Sequence, residues 1–206
     1  MFAVYAAYRG RSQRRGEYVR DVAAALERSS MVESVEMKGI EDFVCIAPGP
    51  DEAGGLVMSL LQAGDFALGI GSVVAEVDGD APSSVAEAIG AATRAVTRSQ
   101  RAGAVSVRIE KPGPGGVIAP GRAAEVAQDI AAAFTLLAHV LARRTKEGRE
   151  ATALLRAGHL QAEAAEIVGI SKQAMSQRLA AAGWHAEQAG WTLAVHMLAR
   201  ADELKN

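Results

Sequence analysis

Six polar residues near the carboxyl end of the chain have the types and spacing of a DNA-contacting helix. They are Ser171, Lys172, Gln173, Ser176, Gln177 and Arg178. In a helix that begins at Lys172, Gln173 and Gln177 share one face. Glutamine amides hydrogen-bond to adenine and other base edges, while lysine, serine and arginine side chains bind phosphates. We therefore predict that the two glutamines contact bases and that Lys172, Ser176 and Arg178 hold the DNA backbone. Ser171 would begin the helix, with the helix amino terminus facing a phosphate.

Residues 160–183, which surround this set, predict a helix-turn-helix. The first short helix covers residues 161–168, and the small Ala165 suits a point where two helices cross closely. Gly169 follows, and glycine is the residue type that ends a helix when the next φ is positive. Ile170 can then anchor the turn in the core.

The second helix of this predicted pair begins behind a serine. Ser171 can accept a backbone hydrogen bond as a cap, and Met175 and Leu179 can pack this helix onto the first. Two helices joined by a glycine turn also occur in domains that never touch DNA, where they contact protein or only build the fold. The coincidence of a small residue, a glycine, a turn anchor, a cap and a polar outer face favours DNA.

The amino-terminal half of the chain alternates between strand and helix patterns. Apolar or alternating runs predict strands at residues 2–8, 32–37, 43–47, 66–75 and 105–109. Helical spacing predicts helices at about residues 16–28, 51–62 and 83–99. The order β-α-β-β-α-β-α-β predicts an α+β sheet with helices on one face, in which the second and third strands form a hairpin. Gly71 inside a strand indicates a bulge or a close backbone approach.

A proline- and glycine-rich segment divides the chain. Residues 111–121 contain three prolines and four glycines, which neither a helix interior nor a central strand tolerates. We predict an α+β domain over residues 1–111, a linker or long loop over residues 112–121 and an all-α domain over residues 122–206.

Apolar stripes in the helical half predict a homodimer. One stripe has the 4-3-4 spacing of a seam that packs on a partner helix. Its members are Ile130, Phe134, Leu137 and Leu141. We expect dimerisation through residues 122–146 or residues 184–204. Two reading helices would then lie about one DNA turn apart, roughly 34 Å, on a palindromic site.

Charge and cysteine content narrow the class of protein. The net charge is −2, to which residues 1–121 contribute −3 and residues 122–206 contribute +1. A half this weakly basic must rely on dimerisation or specific contacts, because phosphate neutralisation supplies most of the affinity in ordinary DNA binders. Cys45 is alone in an apolar run, which predicts a core thiol and a reducing compartment. No apolar run approaches the roughly 20 residues of a membrane helix, so we expect a cytoplasmic protein without a membrane segment.

Four stretches of the chain match the pattern of one known family. Residues 4–15 (VYAAYRGRSQRR) correspond to its first strand, residues 40–44 (IEDFV) to its Gly-Asp-Glu-Phe hairpin, and residues 68–72 (LGIGS) to its Gly-Ile-Gly strand. Residues 154–184 correspond to its terminal helix-turn-helix, including Gly-Ile-Ser and Gln-Arg-Leu. On these stretches the chain resembles the SatD family of bacterial proteins. That resemblance implies a ferredoxin/nucleotide-cyclase-like (GGDEF-like) α+β domain joined to a carboxyl-terminal helix-turn-helix domain.

The same resemblance implies that catalysis has been lost. In nucleotide-cyclase-like enzymes, a carboxylate after the first strand and another in the hairpin hold the metal ions that align the phosphates. Arg9 and Gly10 stand where that family has Gly-Asp, and Ile40 replaces the hairpin glycine, although Glu41 and Asp42 remain. We therefore expect a protein that is not an enzyme and needs no metal or other cofactor.

Four arginines in the loop after the first strand form a candidate second site. They are Arg9, Arg11, Arg14 and Arg15. Such a cluster suits phosphate recognition, either as a second nucleic-acid contact or as a retained nucleotide or partner site. The favoured interpretation is a solvated loop that pairs with Glu17, Asp21 or the hairpin acids.

Together these observations predict a transcriptional regulator that binds DNA as a dimer. Its non-catalytic amino-terminal domain would regulate it or recruit a protein partner. Two alternatives come from other classes of protein: an adaptor whose helix-turn-helix contacts protein, and a nucleotide-sensing domain.

Overall fold

The chain folds into a mixed α/β structure. The computed structural model describes residues 1–74, 81–113 and 115–204, without the side chains of residues 81–84. Over these residues the strands are β1 (Phe2–Tyr8), β2 (Ser34–Met37), β3 (Asp42–Ala47), β4 (Phe66–Val73) and β5 (Val105–Glu110). The helices are α1 (Arg15–Glu27), α2 (Pro50–Ala63), α3 (Ala81–Ala95), α4 (Arg122–Ala142), α5 (Lys146–Arg156), α6 (Gln161–Ile167), α7 (Lys172–Ala181) and α8 (Trp184–Glu203). The predicted order of the first eight elements is confirmed; Ala75, the predicted end of the fourth strand, lies outside the described residues.

The five described strands form one sheet in the order β2-β3-β1-β4-β5. β1 is antiparallel to both β3 and β4, β2 is antiparallel to β3, and β5 runs parallel to β4. The predicted hairpin of the second and third strands is confirmed, with Val35 opposite Cys45. The segment from β1 to β4 therefore has the split β-α-β connectivity, and β5 extends the sheet at one edge.

Both faces of the sheet are covered by helices, which corrects the expectation of helices on one face. In β1, Phe2 and Val4 join the larger core with α1, α2, α4 and α8, while Ala3 joins a smaller core with α3. β4 is buried along its whole length. Its Gly71 lets α3 pack directly on the strand, because a Cβ there would collide with the backbone of Ala88 and Ala92. The predicted close approach at Gly71 is confirmed.

Helices α4 and α8 belong to the core of the sheet, which the predicted division at the proline- and glycine-rich segment did not anticipate. The four apolar stripe residues of α4 are all buried inside the chain; they are Ile130, Phe134, Leu137 and Leu141. α8 packs against α4 and α2, and Gly190 lets it approach Leu137 closely. Trp191 of α8 rests on Gly54 of α2. The stripe that suggested a dimer interface therefore packs within one chain, where it buries apolar side chains of the larger core.

The proline- and glycine-rich segment folds back along β5 and is not a free linker. The Lys111 N–H donates to the Val117 carbonyl at 2.8 Å, and the Ala119 N–H donates to the Ile109 carbonyl at 2.9 Å. Ala119 is buried. Pro114, within the predicted linker, lies outside the described residues. This return brings the chain directly onto the sheet edge where α4 begins.

Two expectations from composition have different outcomes. Burial raises the pKa of the Cys45 thiol to about 12, and the side chain is fully buried, so its assignment to the core is confirmed. The expectation that no segment is long and apolar enough to cross a membrane is wrong for α4, which passes that test by length and composition. The buried residues of α4 nevertheless pack against the sheet and α8.

Candidate nucleic-acid interface

Helices α5, α6 and α7 form a small unit with a hydrophobic core of its own. Five fully or nearly buried residues make up this core: Ala151, Ala164, Ala165, Met175 and Leu179. Five partly buried residues surround them: Leu154, Leu155, Val168, Ile170 and Trp184. We call residues 146–181 the tri-helical unit. Because its core is separate from that of the sheet, the unit can present α7 at the surface.

The turn between α6 and α7 has the predicted geometry. Gly169 has a φ of 70°, a value that side chains disfavour. The Gly169 N–H donates to the Glu166 carbonyl at 3.1 Å, and the Ile170 N–H donates to the Ala165 carbonyl at 2.9 Å. This pair of bonds is the Schellman ending of a helix, in which the next apolar residue packs back on the helix. Ile170 does so against the core of the unit.

The predicted start of α7 is also confirmed. The Ser171 hydroxyl accepts a hydrogen bond from the Ala174 N–H at 3.1 Å, as an amino-terminal cap does. Met175 and Leu179 are buried against α5 and α6. One side of α7 is thereby held in the core, and the other side faces outward.

Four of the predicted contact residues stand together on the outer side of α7. Lys172, Gln173, Ser176 and Gln177 are all exposed, and we call these four the reading ridge. Ser171 is exposed as well, at the amino-terminal end of the ridge. The arrangement brings one cation, two amides and one hydroxyl onto a single helix face. These groups can donate to phosphates and both donate to and accept from base edges.

Arg178 differs from the other predicted contact residues, because it is half-buried at the edge of the ridge. The pKa of Glu147 at the start of α5 is lowered, first by a hydrogen bond from its own backbone N–H, then by the Thr145 hydroxyl, and further by the charges of Arg178 and Lys146. The charge of Arg178 therefore acts on a carboxylate at the start of α5.

The charge near the reading ridge is more favourable to DNA than that of the whole chain. Residues 144–183 hold six Lys and Arg against four Asp and Glu, a net charge of +2, whereas the whole chain has −2. One of the acids is already engaged, since the Glu163 carboxylate accepts from the Leu160 N–H at 2.8 Å and caps α6. The unit is therefore modestly basic.

A buried ionic cluster, which no local sequence pattern indicated, ties the tri-helical unit to the rest of the chain. The Glu187 carboxylate of α8 accepts from Arg156 Nε at 2.9 Å and from Arg156 Nη2 at 2.8 Å. Arg144 lies 2.5 Å from the same carboxylate, and its Nε donates to the Ala182 carbonyl at 2.7 Å. Arg156 also lies over the ring of Trp184. The three charged side chains come from α8, from α5 and from the segment between α4 and α5, so only tertiary structure brings them together.

The arginines after β1 contact mainly backbone carbonyls and exposed acidic side chains, as arginines in a surface loop do. Arg9 donates to the backbone carbonyls of Tyr8 and Gln100 at 2.8 and 3.2 Å. Exposed ion pairs of 3.5 Å join Arg14 to Glu17 and Arg15 to Glu41. Arg11 is exposed. These contacts are those of the solvated-loop interpretation, and they leave Arg11 as the arginine best placed to meet a partner.

The hairpin acids that a nucleotide-cyclase-like enzyme would use have protein partners. The Asp42 carboxylate accepts from the Tyr5 hydroxyl at 2.8 Å. Burial, and then this hydrogen bond, raise the pKa of Tyr5 to about 12. Within the described residues, no three His, Cys, Asp or Glu side chains gather in a way that could hold a metal ion.

Comparisons with protein-family models, with curated proteins and with solved structures find no match for this chain. The resemblance to the SatD family therefore stays a prediction from the four sequence stretches.

Proposed function

We propose that this protein binds DNA through the helix-turn-helix of α6 and α7 and regulates transcription. The observation that carries the proposal is the reading ridge, an exposed row of Lys172, Gln173, Ser176 and Gln177 on a helix whose other side is buried. A helix of this kind fits the major groove, where base edges can be distinguished by hydrogen bonding. The Schellman turn at Gly169 holds α7 at a fixed angle to α6.

In the proposed complex, each ridge residue has a distinct task. Gln173 and Gln177 contact base edges, while Lys172 and Ser176 bind backbone phosphates. Ser171 begins the helix, and the helix amino terminus faces a phosphate. Arg178, half-buried at the edge of the ridge, joins the phosphate contacts. Different side chains of one short helix thus position the protein on the DNA backbone and recognise the base sequence.

We propose that the protein acts as a homodimer on a palindromic site. Because the stripe of α4 is buried within the chain, the dimer surface must come from other residues. Leu136 on α4 is 65% exposed and Leu193 on α8 is 45% exposed, so these helices retain apolar side chains at the surface. Sedimentation at micromolar concentration should show a dimer, and a monomer with or without DNA would contradict this part of the proposal.

We propose that the amino-terminal α/β part is a degenerate nucleotide-cyclase-like domain that regulates the protein or recruits a partner and does not catalyse a reaction. The split β-α-β connectivity from β1 to β4 supports the likeness of fold. The position of Arg9 at the end of β1 and the engagement of Asp42 by Tyr5 support the loss of catalysis. The SatD resemblance, the lack of a cofactor and a cytoplasmic location are expectations of the same proposal.

The decisive experiment measures DNA binding by a ridge variant. Wild type should select a consensus from random duplexes, and a Lys172→Ala/Gln173→Ala/Gln177→Ala variant should lose at least about 30-fold in affinity for it, since each amide–base contact contributes about 1–3 kcal/mol. The loss of Lys172 should also reduce the slope of log affinity against log salt by about one.

A matched control removes the same residue types elsewhere. Lys111, Gln13 and Gln128 are exposed and lie outside the tri-helical unit, so their alanine variant should bind as wild type does. Circular dichroism must show that both variants fold. Equal DNA binding by the ridge variant and the control, or no binding by wild type, would overturn the proposal.

A protein-contact role is favoured by one separate observation. Leu160 and Ile167, at the two ends of α6, are 69% and 57% exposed, so this unit presents two large apolar side chains that a protein surface could cover. If the helix-turn-helix serves an adaptor, a Leu160→Ser/Ile167→Ser variant should lose a protein partner while the ridge variant retains it. The opposite result would leave DNA as the ligand of this unit.

A further inference from the structure

A cavity of about 670 Å³ lies between the tri-helical unit and the rest of the described chain, which we call the sheet domain. One wall comes from the end of α2 and from the loop before β5, at Gly64 and Gly103. The other wall comes from the last turn of α4 and from α5. A volume of this size is in the range of small-molecule sites in proteins, about 300–1,000 Å³. The cavity therefore has room for a metabolite-sized ligand in contact with both parts of the chain.

The charged residues that line this cavity are all arginines. They are Arg144, Arg149 and Arg156, and no Asp or Glu is among the described residues that form its walls. Glu187 pairs with Arg144 and Arg156, and its carboxylate is buried. Three arginines thus line the cavity, and of these three Arg149 is the one that does not pair with this carboxylate. Guanidinium groups bind phosphate and carboxylate through paired hydrogen bonds, so the cavity favours an anion.

The rest of the lining is mostly apolar or small. Leu61, Ala138, Leu141 and Ala153 are among the side chains that form it. An inorganic ion would fill only a small part of this space and would leave the apolar wall without a partner. A molecule with an apolar body and an anionic group matches both kinds of lining.

Arg149 is the side chain most available to a ligand. Arg144 and Arg156 are committed to Glu187, whereas Arg149 makes one hydrogen bond, from Nη1 to the Arg144 carbonyl at 2.7 Å. Arg149 is exposed and lies on α5, the helix whose other side packs on α7. A ligand held by Arg149 and by the end of α2 would join the sheet domain to the helix that supports the reading ridge.

We infer that this cavity is a binding site for an organic anion, with a phosphate or carboxylate on an apolar body, and that the bound anion fixes the tri-helical unit relative to the sheet domain. The binding site stands on the cavity alone. Only its effect on DNA rests on the proposed function.

Calorimetry on the full chain tests the binding site. The probes are adenosine 5′-monophosphate and 1-naphthaleneacetate, their uncharged counterparts adenosine and 1-naphthaleneethanol, and inorganic phosphate. We expect at least one organic anion to bind at least about tenfold more tightly than its neutral counterpart and than inorganic phosphate. The two anions distinguish a phosphate ligand from a carboxylate ligand. No binding, or equal binding of the neutral counterpart or of inorganic phosphate, would overturn the inference.

Three variants locate the bound anion. Arg149→Ala removes the available guanidinium, and Ala153→Phe fills the cavity from an exposed position on α5. Each should weaken the anion at least about tenfold. Arg143→Ala removes an exposed arginine outside the lining and should leave binding unchanged. Because none of these substitutions touches the buried carboxylate of Glu187, all three should fold; unchanged affinity in both Arg149→Ala and Ala153→Phe would place the ligand elsewhere and refute the site.

The effect on DNA is measured separately. The probe that binds should change the DNA affinity of wild type and should leave that of Arg149→Ala unchanged. An anion that binds without altering DNA affinity would overturn the coupling but not the site. A wild type that binds the anion and no DNA would refute the proposed function and leave the cavity assignment intact.

Discussion

At the scale of single residues, Glu110 shows how the fold sets the behaviour of a carboxylate. Its side chain is 2% exposed at the end of β5, where it accepts from Arg94 Nε at 3.2 Å and from Arg108 Nε at 2.7 Å. Burial by itself raises the pKa of Glu110, but the hydrogen bonds and charges of the two arginines outweigh it, and the pKa is lowered. The ionised form is therefore stabilised by folding.

A Glu110→Gln substitution should destabilise the protein in a pH-dependent way. Because the folded pKa lies below the unfolded one, the contribution of Glu110 is complete above its ordinary pKa of about 4.5 and is lost as the pH falls through the folded pKa. We expect urea unfolding at pH 7 to show a loss of about 2 kcal/mol, which shrinks toward zero at acid pH.

The matched control for this substitution is Glu27→Gln on the exposed face of α1. It should change the free energy of unfolding by less than about 0.5 kcal/mol at pH 7. A loss from Glu110→Gln that stays constant from neutral to acid pH would show that the carboxylate is not ionised by its arginine partners.

At the scale of secondary-structure elements, the helix-turn-helix depends on a few local choices. Gly169 takes the left-handed backbone conformation, Ile170 packs back on the core, and Ser171 caps α7. Each choice involves neighbours within a few residues, which is why the segment could be predicted in detail. The reading ridge depends on them, because α7 must start at Lys172 for its polar side to face outward.

Removal of the cap or of the glycine should loosen α7. We expect Ser171→Ala to cost about 1 kcal/mol of unfolding free energy, and Gly169→Ala to cost about 1–2 kcal/mol because alanine disfavours a positive φ. Ser176→Ala, in the exposed middle of α7, is the control and should be neutral or slightly stabilising, since alanine is a good helix former. Thermal and urea unfolding measure all three, and equal losses at Ser171 and Ser176 would contradict the capping role.

At the scale of the whole molecule, the tri-helical unit is an insertion between two helices of the sheet domain. α4 and α8 complete the larger core, and the chain leaves it after Arg144 and returns at Ala182. These two points are close together, since Arg144 Nε donates to the Ala182 carbonyl at 2.7 Å. The ends of α4 and α8 and the buried Glu187 cluster therefore attach the unit to the rest of the chain.

This arrangement predicts opposite results for two truncated proteins. A chain in which a short Gly-Ser linker replaces residues 146–181 should fold, because α4, α8 and the Arg144–Glu187 pair remain. Residues 1–111 alone should not unfold cooperatively, because Phe134, Leu137 and Leu198 would be missing from the core. Urea unfolding and amide NMR dispersion measure both, and a well-dispersed, cooperative 1–111 fragment would show that the core divides where the sequence suggested.

Most of the secondary structure followed from local pattern. The order of the first eight elements, the hairpin of β2 and β3, the cap at Ser171 and the turn at Gly169 depend on the spacing of apolar residues and on backbone preferences. The outer side of α7 followed as well, because the positions of Met175 and Leu179 determine which residues point away from the core.

Only the tertiary structure decided which of these elements pack against each other. An apolar stripe such as that of α4 indicates that the helix is buried. It does not indicate whether the helix packs against a partner chain or against the sheet of its own chain. The same is true of Arg144, Arg156 and Glu187, which are distant in sequence and meet only when α4, α5 and α8 converge. The amino-acid sequence determined the helices and the polar side of α7, because those depend on neighbours a few residues away. Three features depend on contacts between segments that are distant in sequence: the packing of helices on both faces of the sheet, the inserted tri-helical unit and the arginine-lined cavity. Only the tertiary structure therefore determined them.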